Sequence, residues 1–234
     1  MKKLEMLYEG KAKRVFKTDD KDRYVVEYKD DATAFNGEKK GSIVGKGVIN
    51  NKLSTIIFKY LEKRGIETHF IEKLSDSEML VKAVEILPIE VIMRNVCAGS
   101  ISKRLGIEEG TKLDKPLLEL CYKNDDLGDP FITEDHIEIL ALASPEELEI
   151  VKEYAYKINE ALIEFFKASD LTLVDFKVEF GRYNGRVILA DEISPDTCRL
   201  WDTATGKKMD KDRFRRDLGL VEEVYKEVLD RVEK

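Results

Sequence analysis

Residues 173–181 read LVDFKVEFG. Side chains of a strand alternate between its two faces, so Val174, Phe176, Val178 and Phe180 fall on one side and Asp175, Lys177 and Glu179 on the other. The apolar side predicts a core strand. Three charges on the opposite side call for a function. RYNGR and then VILADEIS follow directly, two extended runs joined by a turn, which predicts a β-hairpin. Upstream, residues 145 to about 168 have helical periodicity, with Leu148, Val151, Tyr154, Ala155, Ile158, Ala161, Leu162 and Phe165 on one side. Ser144 as N-cap, Pro145 at the first helical position and Glu147 completing a capping box fix its start.

The rest of the chain reads as strands first and helices later, an α+β pattern without repeats. LYEGKAKRVFKT and RYVVEYK predict an antiparallel pair across the polar turn DDKD. VINNKLSTIIFKYLEKRG predicts a helix ending at Gly65, with Ile49, Leu53, Ile56, Ile57, Tyr60 and Leu61 inward. ETHFIEKL, EMLVKAVEIL and IEVIMRN predict three more strands. SISKRLG reads as a short helix opened by Ser100, TEDHIEIL leads into the long helix, and LVEEVYKEVLDRVEK closes the chain as an amphipathic helix.

At 234 residues and 43% hydrophobic composition, the chain supports one generous domain or two small lobes. Forty Lys and Arg against 47 Asp and Glu give a net charge of -7. That field repels nucleic acid and anionic membrane, so neither is expected as a partner and any bound anion needs a local cationic cluster. MKKLEMLYEGKAK has no signal-peptide apolar run, and no stretch approaches the ~18 apolar residues of a membrane span, which predicts a cytoplasmic protein. Cys97, Cys121 and Cys198 are odd in number and widely spaced, which fits space-filling thiols rather than a disulfide framework or zinc site. His69 and His136 are the only histidines, too few for a His-rich metal site.

Four stretches carry chemistry. In YEGKAK, Gly10 separates two extended pieces, and Lys11 and Lys13 share a face of the second, an arrangement suited to a polyphosphate. A glycine bulge in a lysine-protected edge strand would look the same. In LVKAV, Lys82 is a lone cation in an apolar strand, able to reach nucleotide phosphates or to snorkel to solvent. In LPIEVIMRNVCAGS, Arg94 precedes Ala98, Gly99 and Ser100 at a helix start, where free N–H groups and a guanidinium suit a phosphate. A plain N-cap explains Ser100 but not Arg94 and Gly99.

The hairpin is the fourth. Asp175, Lys177 and Glu179 are followed by Asp191, so carboxylates end neighbouring strands with a lysine between them, a ligand type suited to Mg²⁺ on nucleotide phosphates. A solvent-facing ladder of salt bridges accounts for Lys177 but not for three acids around it. A two-residue Asn184–Gly185 turn would pair Glu179 with Ala190 and set Asp191 on the opposite face. The metal reading therefore predicts a three-residue loop, Tyr183 to Gly185 with a G1 bulge, pairing Lys177 with Asp191; a bend at a strand end would serve equally.

LPIEVIMRNVCAGS and LVDFKVEFG resemble the two signature segments of the phosphoribosylaminoimidazole-succinocarboxamide synthase (SAICAR synthetase) family. YEGKAK, KNDDLGDP, DEISPDTCRLWD and MDKDRFRRDLG resemble its other blocks in the same order, across essentially the whole chain. AFNG carries Asn36 where a relative has Asp, so no role transfers there. The resemblance implies a two-lobed, ATP-grasp-like fold with antiparallel sheets and flanking helices. Residues 1–86 would form an N-terminal lobe with the glycine-rich phosphate-binding sheet, and 87–234 a C-terminal lobe with the substrate and metal site. It also implies a homodimer.

The implied activity is ATP-dependent ligation of L-aspartate to the carboxylate of carboxyaminoimidazole ribonucleotide. The carboxylate is inert to an amine until phosphorylated, so an acyl phosphate is expected, with Mg²⁺ and ATP as cofactors. Positioning and charge neutralisation would then dominate. By the resemblance, Gly10, Lys11, Ala12, Lys13 and Val15 bind ATP, Lys82 assists, and Glu179 and Asp191 hold Mg²⁺. Arg94, Ser100 and Arg199 hold the 5′-phosphate of the ribonucleotide. Asp129, Asp175, Lys177 and Asp196 line the reaction space, with Lys177, Asp175 and Asp129 catalytic, and Arg215 draws in anionic substrate. A kinase-like phosphotransferase shares several of these features but would need an HRD-like loop, which the sequence lacks. A non-catalytic ATP-binding regulator would not need Arg94, Ser100 and Arg199.

Overall fold

The computed structural model describes residues 1–34 and 38–234; Asn36 lies outside them. The chain opens with β1 (Lys3–Glu9), β2 (Lys13–Thr18) and β3 (Arg23–Tyr28), a meander whose second turn is the predicted DDKD. A ribbon, β4 (Asp31–Ala34) and β5 (Lys39–Ser42), leads to α1 (Lys46–Glu62), then β6 (Phe70–Lys73) and β7 (Glu78–Lys82). The first sheet has the order β1-β2-β3-β7-β6. Leu53, Ile57, Phe58 and Leu61 of α1 are buried, while Ile49, Ile56 and Tyr60 only flank them. The same helix also buries Lys46, Asn50, Asn51, Ser54 and Thr55, a polar set that its apolar spacing does not announce.

The second sheet begins with β8 (Glu85–Val96), one 12-residue strand where the sequence suggests two. Its pairing with the hairpin strand shifts register between Glu90 and Ile86, a bulge that accommodates Pro88. Then come α2 (Ser100–Leu105), β9 (Lys112–Tyr122), a 3₁₀ turn (Asp125–Leu127), β10 (Phe131–Ile132), α3 (Glu134–Ile139) and α4 (Pro145–Lys167). The chain finishes with β11 (Leu171–Tyr183), β12 (Arg186–Ala190), β13 (Cys198–Asp202), α5 (Asp212–Arg215) and α6 (Val221–Val232). The order is β10-β9-β8-β11-β12, with β13 also on β11. Among the described residues the paired strands of both sheets run antiparallel.

LVDFKVEFG is the centre of this sheet. Phe176, Val178 and Phe180 join the main core with Leu148, Val151, Ala155, Ile158 and Leu162 of α4, which lies across β11. Val174 packs in a small satellite with Val96 and Ala98. The predicted Ser144–Glu147 capping box is present, with Ser144 N donating to Glu147 Oε2 at 2.9 Å and Glu147 N to Ser144 Oγ at 3.2 Å. Tyr154 and Phe165 are half-buried edges of the α4 stripe. The charged face of β11 is no solvent face: Asp175 and Glu179 are each 3% exposed.

The hairpin register differs from the three-residue expectation. Tyr183 pairs with Arg186 and Glu179 with Ala190 across a two-residue turn, with Asn184 at φ 50° and Gly185 at φ 74°. Asn-Gly is the preferred pair for such a type I′ turn, whose twist matches the flanking strands. The bend does the work instead. β12 ends at Ala190, and Asp191 adopts φ 63°, a left-handed conformation that turns its carboxylate back to within 3.4 Å of Lys177 Nζ.

The segment Glu67–His69 ties the two sheets together: Leu189 N of β12 donates to Glu67 O at 3.0 Å, and His69 N donates to Leu189 O at 2.8 Å. Cys97, Cys121 and Cys198 are separately buried thiols. Among the described residues no helix is long and apolar enough to cross a membrane.

Candidate functional site

A cavity of about 600 Å³ is lined by residues of both sheets. One end is apolar, lined by Val15 of β2, Val26 of β3, Val81 of β7, Val84 of the connection into β8 and Ile86 of β8 itself. The other end is charged. Gly10, Lys11, Ala12 and Lys13 line it from the β1–β2 turn, Lys177 and Glu179 from β11, and Asp191 from the bend after β12. Gly10 N donates to Lys13 O at 2.8 Å, so its N–H closes the turn; this leaves the lysine side chains as the turn's charged groups.

The charged end is a lattice of ion pairs. Lys177 Nζ lies 2.5 Å from Glu179, 3.1 Å from Glu90 and 3.4 Å from Asp191. Lys13 pairs closely with Asp191 and sits 3.5 Å from Glu192. Lys123 Nζ lies 2.8 Å from Glu179. Burial alone would drive the proton off Lys177, but Glu179, Asp191 and Glu90 outweigh it and raise its pKa well above the ordinary lysine value. Burial likewise opposes charge on Asp191, and Lys13, Lys177 and Lys123 overcome it, holding the carboxyl far below its usual range. Both groups stay ionised at neutral pH. Glu179 and Asp191 converge on one ammonium, so the two carboxylates face a common position where a cation already fits.

Lys11 pairs with Asp125 at 2.7 Å across the cavity mouth, between the β1–β2 turn and the 3₁₀ turn. Asp129 lines the cavity and accepts from Asn124 N at 2.9 Å. Lys82 also lines it, but its ammonium is engaged by Thr68 O at 2.8 Å and Glu67 at 3.1 Å. Asp196 lines the wall and is gripped from behind by Lys46 Nζ at 2.8 Å and Tyr225 Oη at 2.6 Å, with Lys211 at 3.5 Å.

Arg94, Ser100, Asp175 and Arg199 are not part of this lining. They form a second cluster further along the charged face of β11. Arg94, 2% exposed, donates to Glu119 at 2.5 Å, Asp175 at 2.8 Å and Ser100 Oγ at 3.3 Å. Arg199 pairs with Asp175 at 2.9 Å and Asp212 at 3.0 Å, and Arg215 reaches the same Asp212 at 2.6 Å. The sequence thus locates the arginines and Ser100 together. Asp175, expected to line the reaction space, pairs with both guanidinium groups of this cluster.

Ser100 is the first residue of α2 rather than its cap, and Gly99 is the cap, at φ 64° and ψ -126°. A Cβ on Gly99 would lie 2.6 Å from Arg199 Nη2 and 2.8 Å from Cζ. The arginine rests on the bare glycine. Gly99→Ala is therefore expected to cost about 1–3 kcal/mol from backbone strain while displacing Arg199. Thermal unfolding checks it; a variant with the parental midpoint would contradict the packing described here.

Sequence reasoning did not single out Glu90, Lys123, Glu192, Lys211, Lys46, Tyr225 or His69. Lys123 lies inside the quoted KNDDLGDP block, whereas Lys46 and Tyr225 meet Asp196 only through tertiary packing. His69 lines the cavity, and burial, together with Lys13 and Lys82, lowers its pKa to about 3. The unfolded chain therefore binds a proton between about pH 6.5 and 3 that the folded protein refuses, so stability falls as pH drops through this window. At pH 5 the effect is about 2 kcal/mol. His69→Gln is expected to lose correspondingly less stability than the parent between pH 7.5 and 5 in denaturant titrations, and equal losses would contradict the burial of a neutral ring.

Comparison with known proteins places this geometry in a family. The SAICAR synthetase family model matches residues 6–232. The phosphoribosylaminoimidazole-succinocarboxamide synthase of Caldanaerobacter subterraneus subsp. tengcongensis is 62% identical over 234 residues, covering 100% of each chain. The crystal structure of that synthase from Ehrlichia chaffeensis superposes with a TM-score of 0.96 at 46% identity, covering 98% of each chain. A SAICAR synthetase in complex with ADP superposes at 0.94 with 48% identity, covering 97% of each. The α+β architecture, its antiparallel sheets and the match along the full chain agree, and the chain belongs to the SAICAR synthetase family of ATP-dependent ligases.

Proposed function

We propose that the protein joins L-aspartate to the carboxylate of carboxyaminoimidazole ribonucleotide, with ATP converted to ADP and phosphate by way of an acyl phosphate. One observation carries the reading: the lysine–carboxylate lattice at the cavity's charged end lies on the same strand face as the Arg94–Ser100–Arg199 cluster. A triphosphate site beside a cationic phosphate-sized cluster suits transfer from one nucleotide to another. The ADP-bound relative supports the nucleotide half.

Val15, Val26 and Val81 would take the flat base, and Lys11 and Lys13 the phosphates. Glu179 and Asp191 are the carboxylates that would hold Mg²⁺, which would supply positive charge to the transferring group. Among the described residues no set of three or more His, Cys, Asp and Glu side chains is arranged around a metal-sized site. Two carboxylates plus phosphate oxygens suit Mg²⁺, which is seldom caged by protein alone. Lys177, held cationic, would neutralise the phosphoryl oxygens, while Asp129 and Asp196 border the same space. Arg94, Ser100 and Arg199 would grip the 5′-phosphate bidentately, fixing the substrate carboxylate for in-line attack. Arg215, tied to Arg199 through Asp212, would extend that cationic surface. Lys82, engaged by Thr68 and Glu67, would stand at the base end.

A cytoplasmic location, a homodimer and functional lobes at 1–86 and 87–234 belong to the same proposal; the boundary falls between the second and third residues of β8. Light scattering reads the oligomer. Phosphate release tests the reaction. With protein, Mg-ATP, L-aspartate and the ribonucleotide together, release is expected, and it should vanish when either co-substrate is omitted. Accumulation of a stable phosphorylated product would establish a kinase instead.

A further inference from the structure

Beside the Arg94–Ser100–Arg199 cluster lies a fully buried acid with no task in the reaction just described. Asp210 is 0% exposed, and its two carboxylate oxygens are taken by main-chain N–H groups rather than by a cation: Leu200 N donates to Oδ2 at 2.8 Å and Asp212 N to Oδ1 at 2.7 Å. Burial, with Asp212 close by, pushes its pKa up, the mark of a charge that the interior does not favour. A hydroxyl or an amide oxygen would close the turn to Asp212 alone. Holding both N–H groups takes a side chain that accepts on each of two oxygens, which is an acid.

Those two N–H groups belong to the chain that carries the arginines. Leu200 directly follows Arg199 on β13, and Asp212 opens α5, whose last residue is Arg215. The segment from Lys208 runs along the edge of β13 that β11 leaves free: Trp201 bridges Lys208, and Met209 N donates to Leu200 O at 2.7 Å. Asp210 ends this edge pairing, and its carbonyl accepts from Arg213 N at 3.1 Å, so one residue joins the strand to the helix. Asp212 then stands between two guanidinium groups, Oδ2 accepting from Arg199 Nε at 3.0 Å and Oδ1 from Arg215 Nη1 at 2.6 Å. Its side chain is 5% exposed, against 19% for Arg199 and 27% for Arg215. The acid is covered, and the arginines keep open surface for a ligand.

We propose that Asp210 and Asp212 are positioning residues for the 5′-phosphate of the ribonucleotide, Asp210 fixing the turn between β13 and α5 and Asp212 the spacing of Arg199 and Arg215. The proposal rests on the phosphate reading of this cluster given above. A guanidinium grips phosphate through a planar fork, so its direction matters as much as its charge. A shift at the turn therefore weakens the grip while every arginine stays in place and charged.

Initial-rate kinetics of the full chain test this. Asp210→Asn keeps the shape but accepts on one side only, and its NH₂ meets an N–H donor on the other. The KM for the ribonucleotide is expected to rise on the order of tenfold, with kcat and the KM for ATP shifting by no more than about twofold. In an Arg199→Lys background the same substitution should add little, because the fork that it aims is already gone. Asp212→Asn leaves the Asp210 turn whole and gives up one of the two arginine contacts; it should reproduce the ribonucleotide effect, and it decides the matter alone if Asp210→Asn does not fold. A parental KM for the ribonucleotide in either folded variant, equal losses for ATP and ribonucleotide, or full additivity with Arg199→Lys would overturn the proposal. A parent with no ribonucleotide-dependent phosphate release would overturn the functional reading and this proposal with it.

Discussion

Asp191→Asn is expected to lower turnover at least about a thousandfold while the protein stays folded. Asp191 sits in the left-handed region at φ 63°, where Asn is the best-tolerated side-chain-bearing substitute, so the bend after β12 survives. The amide keeps the shape and loses the charge. Lys13 retains Glu192 at 3.5 Å and Lys177 retains Glu179 at 2.5 Å, so neither ammonium is left without an acid. What disappears is one of the two carboxylates that converge on the cation position. Steady-state kinetics with circular dichroism checks this, and a folded Asp191→Asn protein with near-parental activity would contradict the metal assignment.

Arg94→Lys should weaken the ribonucleotide by about 1.5–3 kcal/mol, roughly ten- to a hundredfold, with little change for ATP. The guanidinium serves Glu119, Asp175 and Ser100 in three directions from a position 2% exposed. An ammonium on a flexible stem cannot reproduce that planar fork. Asp175 keeps Arg199 at 2.9 Å, so the buried carboxylate is not abandoned and the effect falls on substrate rather than on the core. Titration of initial rates against ribonucleotide and ATP separates the two. Unaltered ribonucleotide affinity would remove Arg94 from the site.

The face of β11 was legible because a central strand with one apolar side keeps a strict period of two, and the α4 boundary because Ser144, Pro145 and Glu147 are local signals. Local reasoning stopped where geometry depends on distant chain. Glu119, which grips Arg94, sits on β9, whose Pro116 and adjacent Leu117 and Leu118 break the alternation that marks a strand. The side of the sheet that Asp191 faces is set by a single positive φ after β12, overriding the register of the Asn184–Gly185 turn. Lys46 and Tyr225 converge on Asp196 from α1 and α6, near opposite ends of the chain, and no spacing rule foresees that meeting. The two clusters were therefore identifiable by residue type, whereas Glu90, Glu119 and Asp212, which help to orient them, were not.

If the ribonucleotide carboxylate is activated by phosphorylation, its oxygen must leave with the phosphate when the amine of aspartate displaces it. The most direct measurement uses ribonucleotide labelled with ¹⁸O in that carboxylate, with the inorganic phosphate from complete turnover analysed by mass spectrometry. The account predicts one ¹⁸O in each phosphate released and the other retained in the new amide. Unlabelled phosphate alongside normal amide formation would contradict it, because the γ-phosphoryl group would then have passed to water rather than to the substrate.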